Sequence, residues 1–194
     1  MSEDAFSALR AAAVKEGIPT VRGETLRLLL AEIAARMPQK ILEIGTAVGV
    51  SGAAMLRAAE GAKLVTIEKN AAFAARAREN FRALGLEKRV TLFEGDADEI
   101  VPELSGSYDF ILLDGPKGKY FSYLPDLKAL LKVGGALFAD DVSLKFYGLK
   151  HTERRNRTAR VNMARFVAAV KGDADFSVRV FEEEDGALVA EKIR

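Results

Sequence analysis

Three aspartates follow two short apolar segments in the second half of the chain. Asp114 comes directly after residues 110–113, and Asp140 and Asp141 come directly after residues 136–139. Because the carboxyl ends of neighbouring parallel strands open onto one crevice, we expect the three carboxylates to converge there. Like charges repel at short range unless a cation lies between them, and oxygen ligands suit Mg²⁺, Mn²⁺ or Ca²⁺. The pattern predicts a divalent-cation site, although a single aspartate after a strand is also typical of an ordinary loop or helix cap.

Lys117 lies in the same predicted loop, three residues after Asp114. The pKa of a lysine ammonium falls when the group is buried or near another cation. Lys117 is therefore a candidate general base beside the predicted cation site.

A second set of residues, at the ends of the first three predicted strands, indicates a ligand that carries adenosine. Glu43-x-Gly45-x-x-x-Gly49 stands between a strand and a helix, Glu68 ends the next strand, and residues 95–97 follow the third. Glycine lets the backbone approach a ligand closely, and an acid after the second strand typically binds a ribose diol. The dinucleotide fingerprint G-x-G-x-x-G is absent, so the pattern favours S-adenosylmethionine over NAD.

The composition is that of an ordinary globular protein with a net charge of +1 and no cysteine. Thiolate chemistry is therefore excluded, and a Ser-His-Asp triad would have to use the single histidine, His151.

No segment has the pattern of a signal peptide or of a membrane span, so we expect a cytoplasmic protein. We also expect one domain over residues 1–194, with N-terminal helices over 1–38 and a core over 39–194.

Hydrophobic periodicity predicts alternating strands and helices, followed by a hairpin. We expect helices over 3–16 and 23–37, one ending near 59, one from the Asn70 cap to Gly85, and others over 121–132 and 157–171. We expect strands over 41–44, 63–67, 90–93, 110–113 and 136–139, then a hairpin pair at 176–180 and 188–190 around Asp185-Gly186. This order is typical of a doubly wound α/β sheet that is mostly parallel, with helices on both faces and a C-terminal antiparallel hairpin.

Five segments resemble the cation-dependent O-methyltransferases: KILEIGTAVGVSG, TIEKN, LFEGDA, YDFILLDGPKGKY and LFADDV. That family includes catechol and caffeoyl-CoA O-methyltransferases and bacterial enzymes that methylate 5-hydroxyuridine in tRNA. The resemblance covers about residues 40–194 and implies a Rossmann-like methyltransferase fold.

The resemblance also implies roles for individual residues. Asp114, Asp140 and Asp141 would hold Mg²⁺, or Mn²⁺ or Ca²⁺, and Lys117 would be the general base. Glu68 would bind the ribose of the donor. The full predicted donor-binding set comprises Glu43, Gly45, Ser51, Glu68, Lys69, Gly95, Asp96, Ala97 and Asp114, with Gly45 and Ser51 at the methionine part and Asp96 and Ala97 near the adenine. Two departures stand out, because the family usually has Asp-Asn where this chain has Asp140-Asp141, and a bulkier or aromatic pair where it has Gly115-Pro116.

The implied reaction is methyl transfer to a hydroxyl. A cation would stabilise the oxyanion, and Lys117 would accept the proton. Because two adjacent oxygens can chelate a cation, the expected acceptor is a catechol-like small molecule. Two alternatives stay open, namely methylation of a tRNA wobble 5-hydroxyuridine and a non-catalytic protein that only binds S-adenosylmethionine.

The segment 143–165 has seven basic residues and one acid, Glu153. It is consistent either with an anionic partner, such as RNA, a CoA thioester or an acidic phenol, or with a solvated loop and helix start.

Related enzymes are commonly dimers, and the N-terminal helices contain more apolar residues than one face of a small sheet would need. We therefore expect a homodimer. The apolar residues behind this expectation are Leu26, Leu28, Leu29, Leu30 and Ile33.

Overall fold

A computed structural model describes residues 3–144 and 154–194. Its helices are α1 (Glu3–Lys15), α2 (Gly23–Arg36), α3 (Val50–Ala58), α4 (Ala71–Ala83), α5 (Ala97–Ile100), α6 (Tyr120–Leu130) and α7 (Arg154–Gly172). Its strands are β1 (Lys40–Ile44), β2 (Lys63–Glu68), β3 (Val90–Glu94), β4 (Tyr108–Leu113), β5 (Leu131–Asp140), β6 (Phe176–Phe181) and β7 (Ala187–Lys192). Among the described helices, none combines the length and the apolar character that crossing a bilayer would require.

The strands form one sheet in the order β3-β2-β1-β4-β5-β7-β6. The first five pair in parallel, whereas β7 runs antiparallel to both β5 and β6. The predicted fold class is therefore confirmed. The strand order reverses between β1 and β4, which is where sheets of this kind bind ligands beyond the strand ends.

Helices cover both faces of the sheet, as parallel strands require. The core on one face is built from α2, α3 and α4 together with Ile41, Phe110 and Phe138 of the strands. The core on the other face is built from α6 and α7 together with the alternate strand residues, such as Ile111 and Leu137. Consecutive strand residues therefore point to opposite helical layers, and only the strand ends and their loops are left to line a ligand site.

The apolar residues of α2 are used within the chain itself. Leu26, Leu29 and Ile33 are 6%, 0% and 0% exposed, and Leu28 and Leu30 pack against the same core. The argument for a dimer from surplus leucines is therefore wrong, because α2 covers the sheet beneath it.

Two predicted boundaries also need correction. The helix predicted over 121–132 ends at Leu130, and β5 begins at Leu131 instead of residue 136. The extra strand residues include Gly134, whose φ of 82° coincides with a register irregularity between β4 and β5 that lets the strand start earlier. The hairpin turn is a five-residue connection, 182–186, in which Gly186 takes a φ of 78°.

Candidate active site

Three carboxylates meet at the carboxyl ends of β4 and β5, as their positions in the sequence predicted. These strands are parallel neighbours, with Leu113 opposite Ala139. The next residues are Asp114 on one strand and Asp140 and Asp141 on the other, and one carboxylate oxygen from each lies within 4.8 Å of the others. Asp140 is 5% exposed, so part of this negative charge is held away from water.

Lys117 lies among these carboxylates and is itself only 8% exposed. Its Nζ donates to Asp114 Oδ1 at 2.8 Å and lies 3.0 Å from Asp141 Oδ2. It also donates to the Tyr120 hydroxyl at 2.9 Å. Three contacts from two strand ends and one helix therefore fix the ammonium in place.

Tyr120, the first residue of α6, is a further functional candidate. Its side chain is fully buried, and its hydroxyl donates to the Leu113 carbonyl at 2.8 Å while it accepts from Lys117. The ring packs edge-on against Phe166 of α7, with the centroids 5.5 Å apart. Tyr120 therefore connects Lys117 to the last residue of β4.

The ionisation of the cluster reflects burial and crowding together. Burial, with the nearby charges of Asp114 and Asp141, raises the pKa of Asp140 to about 8. Burial also raises the pKa of Asp114, although the Lys117 ammonium opposes the shift. Burial alone would lower the pKa of Lys117, but the charges of its acidic neighbours, chiefly Asp114, outweigh burial and raise that pKa well above its usual range. The charges of these acids therefore contradict the expectation of a lowered Lys117 pKa.

The cluster fits a hard divalent cation by its chemistry. It offers three carboxylates against the single ammonium of Lys117, so negative charge is in excess there. Asp141 has a φ of 57°, in the left-handed region that Asp and Asn tolerate better than most residues. The Asp-Asn pair of the resembling family would therefore fit the same backbone.

A cavity of about 300 Å³ lies at the same edge of the sheet, formed by the loops after β1, β2, β3 and β4. Eight of the nine residues predicted to bind the donor line it: Gly45, Ser51, Glu68, Lys69, Gly95, Asp96, Ala97 and Asp114. Sequence reasoning missed several other lining residues, including Pro19, Thr20, Val48, Phe73 and Pro116. Pro19 and Thr20 come from the segment between α1 and α2, which only the tertiary structure brings over the cavity.

The floor of this cavity depends on Gly45. A Cβ at this position would lie 2.2 Å from the carbonyl oxygen of Asp114, and its φ of 94° is in the region that favours glycine. The loops after β1 and β4 can therefore approach each other only with glycine here.

Glu68 and Asp96 are held in place by backbone and ionic contacts. Glu68 accepts from the backbone N–H of Ala47 at 2.8 Å and of Asn70 at 2.7 Å. Asp96 caps α5 by accepting from the Asp98 N–H and pairs with Lys69 across the cavity rim. Both acids, one at the end of β2 and one at the cap of α5, are thus held in fixed positions, as a ribose- and adenine-binding wall would require.

Glu43, the ninth predicted donor residue, lies beneath the cavity instead of in its lining. It is 0% exposed and accepts from the hydroxyls of Thr46, Ser51 and Thr66 at 2.5 to 2.7 Å. Burial raises the pKa of Glu43, and these three hydrogen bonds oppose that shift. The prediction of direct donor contact is therefore corrected, because the strand alternation that sends Ile41 toward α3 also sends Glu43 there.

The basic segment is only partly within the described residues. Lys145, Lys150 and His151 lie outside them, whereas Arg157, Arg160 and Arg165 are exposed on α7. The Arg165 guanidinium stands 4.3 Å from the centroid of the Phe121 ring. These two residues line a groove of about 650 Å³ between α6 and α7 that also includes Lys117 in its wall.

Comparison with known proteins places this geometry in a family. The model of a family described as O-methyltransferase matches residues 6–193. A catechol O-methyltransferase from Niastella koreensis is 31% identical over 150 residues, which cover 72% of this chain and 66% of the relative. The chain spans between 42% and 66% of the length of three of the curated catechol O-methyltransferases that it matches.

Solved structures show the same fold. The O-methyltransferase TomG from Streptomyces achromogenes, solved with S-adenosylmethionine, has a TM-score of 0.85 at 24% identity and covers 100% of this chain and 92% of its own. An O-methyltransferase from Bacillus cereus, solved with S-adenosylhomocysteine, has a TM-score of 0.84 at 20% identity and covers 99% and 92%. At these identities the likeness shows the fold alone. Because the family model spans nearly the whole sequence, the chain belongs to the O-methyltransferase family.

Proposed function

We propose that this protein transfers the methyl group of S-adenosylmethionine to a hydroxyl of a catechol-like small molecule, with the help of a divalent cation. One observation carries the proposal: Asp114 belongs both to the lining of the donor cavity and to the carboxylate cluster. A donor in the cavity and an acceptor at the cluster would therefore be neighbours. Such positioning supplies much of the rate of a bimolecular transfer.

The donor half of the site uses the cavity wall. In this proposal Glu68 would accept hydrogen bonds from a ribose diol, and Asp96 and Ala97, which line the same cavity, would contact the adenine. Gly45 and Ser51 would contact the methionine part, and Lys69 and Gly95 would complete the wall. The catechol O-methyltransferase among the relatives supports the choice of acceptor.

The acceptor half of the site uses the carboxylate cluster. Asp114, Asp140 and Asp141 would hold Mg²⁺, Mn²⁺ or Ca²⁺, which would stabilise negative charge on an acceptor oxygen. A cation held by these carboxylates would oppose the charge on Lys117, and burial already disfavours that charge, so both effects would act to lower the pKa of Lys117. Lys117 would accept the hydroxyl proton at Nζ, held in position by the Tyr120 hydroxyl.

A second candidate function is methylation of a tRNA wobble 5-hydroxyuridine by the same chemistry. The sequence of α7 favours it, because this helix has six basic residues and no acid. Cationic side chains on a helix would suit a phosphate backbone. The third alternative, a non-catalytic donor-binding protein, is disfavoured because Asp114, Lys117 and Asp140 are all present and meet in space.

Three further statements remain predictions: action in the cytoplasm, one methyltransferase domain over residues 1–194, and a homodimer. With the leucine argument removed, the dimer rests on the family resemblance alone. Light scattering at micromolar concentration checks it, and a monomer mass would reject it.

The test is to incubate the protein with methyl-labelled S-adenosylmethionine and separate pools of catechols and tRNA. We expect label in the catechol pool with the wild type, and little with Asp114→Asn. Asp126→Asn, which changes a half-buried aspartate of α6 outside both parts of the site, is the matched control and should resemble the wild type. Label in tRNA alone would favour the second candidate, and donor binding without transfer to either pool would favour the third.

A further inference from the structure

A buried acid that the proposed chemistry does not use lies directly under the donor cavity. The Glu43 carboxylate is 0% exposed and makes its hydrogen bonds to three hydroxyl groups. Two of these hydroxyls belong to Ser51 and Thr46, which line the cavity. Only one layer of side chains therefore separates the carboxylate from a ligand above it.

The three hydroxyl groups around Glu43 stabilise its charged form, whereas burial acts against that form and raises the pKa of Glu43. Hydroxyl donors stabilise a carboxylate but carry no net charge of their own. The packing is also tight, because a Cβ on Gly52 would come within 3.1 Å of Glu43 Oε2. A cationic group in the cavity would therefore be the charge partner that the hydroxyls do not provide.

We propose that Glu43 makes the cavity select a cationic ligand, the sulfonium donor, over the uncharged thioether that remains after transfer. This inference rests on the proposed function. In the transfer the carbon–sulfur bond to the methyl group breaks, a carbon–oxygen bond forms, and sulfur keeps the electron pair of the broken bond. The hydroxyl proton goes to the neutral amine form of Lys117 that the proposed function requires. The ligand in the cavity thus loses one positive charge, and with it the attraction of Glu43.

This attraction acts through the cavity wall, so Glu43 is a positioning residue that touches neither ligand. Burial raises the pKa of Glu43. A cation in the cavity would act against burial, as the three hydroxyls do, because it favours the ionised carboxylate. Two unit charges separated by roughly 10 Å, in a medium of effective dielectric constant of about 20, shift a binding equilibrium on the order of tenfold.

The experiment measures the affinities of S-adenosylmethionine and S-adenosylhomocysteine by calorimetry for the wild type, Glu43→Gln and Glu43→Asp. Glu43→Gln keeps the size of the side chain and removes the charge, whereas Glu43→Asp keeps the charge and shortens the reach. We expect Glu43→Gln to weaken the sulfonium ligand by about tenfold and to leave the thioether within about threefold. We expect Glu43→Asp to keep the wild-type ratio of the two affinities, even where both affinities fall.

The outcomes separate this inference from the proposed function. Equal losses for both ligands in Glu43→Gln would show that Glu43 only holds the loop together, and would overturn the inference. If Glu43→Gln fails to fold, a changed affinity ratio in Glu43→Asp would overturn it as well. A wild type that binds neither ligand would refute the proposed function, and the inference with it.

Discussion

Replacing Tyr120 by phenylalanine tests whether the hydroxyl of this residue positions Lys117. The change keeps the ring against Phe166 and removes a fully buried hydroxyl. The hydroxyl accepts from Lys117 and donates to the Leu113 carbonyl, so the variant leaves that carbonyl without its side-chain donor. Stranding one buried polar group costs about 1–3 kcal/mol of unfolding free energy. For a chain of this length, that corresponds to a fall of roughly 2–12 °C in the unfolding temperature.

The effect on activity should be larger on turnover than on binding. In Tyr120→Phe, Lys117 keeps its ionic contacts with Asp114 and Asp141. It loses the hydrogen bond that holds its Nζ relative to the end of β4. A positioned general base contributes about 10²–10⁴-fold, so we expect kcat to fall by about tenfold while the KM for S-adenosylmethionine stays within about twofold. Steady-state methyl transfer to a catechol measures both quantities.

Tyr108→Phe is the matched control, because it also removes the hydroxyl of a buried tyrosine. Tyr108 begins β4, at the opposite end of the strand from the cluster, and is 2% exposed. Its ring lies 4.6 Å from Lys40 Nζ, a contact that phenylalanine keeps. We expect kcat within about twofold of the wild type. If Tyr120→Phe melts at the expected lower temperature but retains wild-type kcat, the positioning role is refuted.

Three further predictions concern the donor, the cation and the basic segment. Glu68→Ala should weaken S-adenosylmethionine binding by about 1–3 kcal/mol in calorimetry, since it leaves the ribose hydroxyls without a partner. The donor assignment would be contradicted if the wild type bound NAD in preference to S-adenosylmethionine. Asp141→Asn should stay active but need more divalent cation in a titration, because one ligand charge is lost on a backbone that Asn tolerates; complete inactivity would contradict this. If the basic segment binds RNA, affinity should fall by about 0.9 log unit per log unit of salt for each duplex phosphate contacted. In that case tRNA methylation should disappear, with catechol turnover retained, when alanine replaces three residues: Arg154, Arg155 and Arg157. If the segment instead borders a small-molecule pocket, the same change should raise the KM for an acidic phenol with little dependence on salt.

The sequence was sufficient for the fold and for the carboxylate cluster because both follow from short-range rules. Apolar runs of four residues ending in an acid identify strand ends, and parallel strands bring their ends to one edge. Asp114 and Asp140 could therefore be placed together without coordinates. The three-residue spacing placed Lys117 beside them.

The rest depended on tertiary contacts that spacing does not encode. Tyr120 has the helical spacing of a core residue, and only the approach of α6 to the end of β4 shows what its hydroxyl contacts. Pro19 lines the donor cavity because the chain between α1 and α2 passes over it. The position of Glu43, by contrast, could have been predicted from the sequence. Strict alternation along β1 places Glu43 on the same face of the sheet as Ile41, toward α3.

The most direct test of the account is methyl transfer to catechol by the wild-type protein in EDTA, before and after excess Mg²⁺, Mn²⁺ or Ca²⁺ is added. The account predicts that transfer stops in the chelator and returns with at least one of these cations, because the three carboxylates repel one another and would hold a cation that binds the acceptor oxygen. S-adenosylhomocysteine should bind in both conditions, which would show that the chelator leaves the donor cavity intact. Undiminished transfer in EDTA would contradict the assignment of Asp114, Asp140 and Asp141 as a cation site.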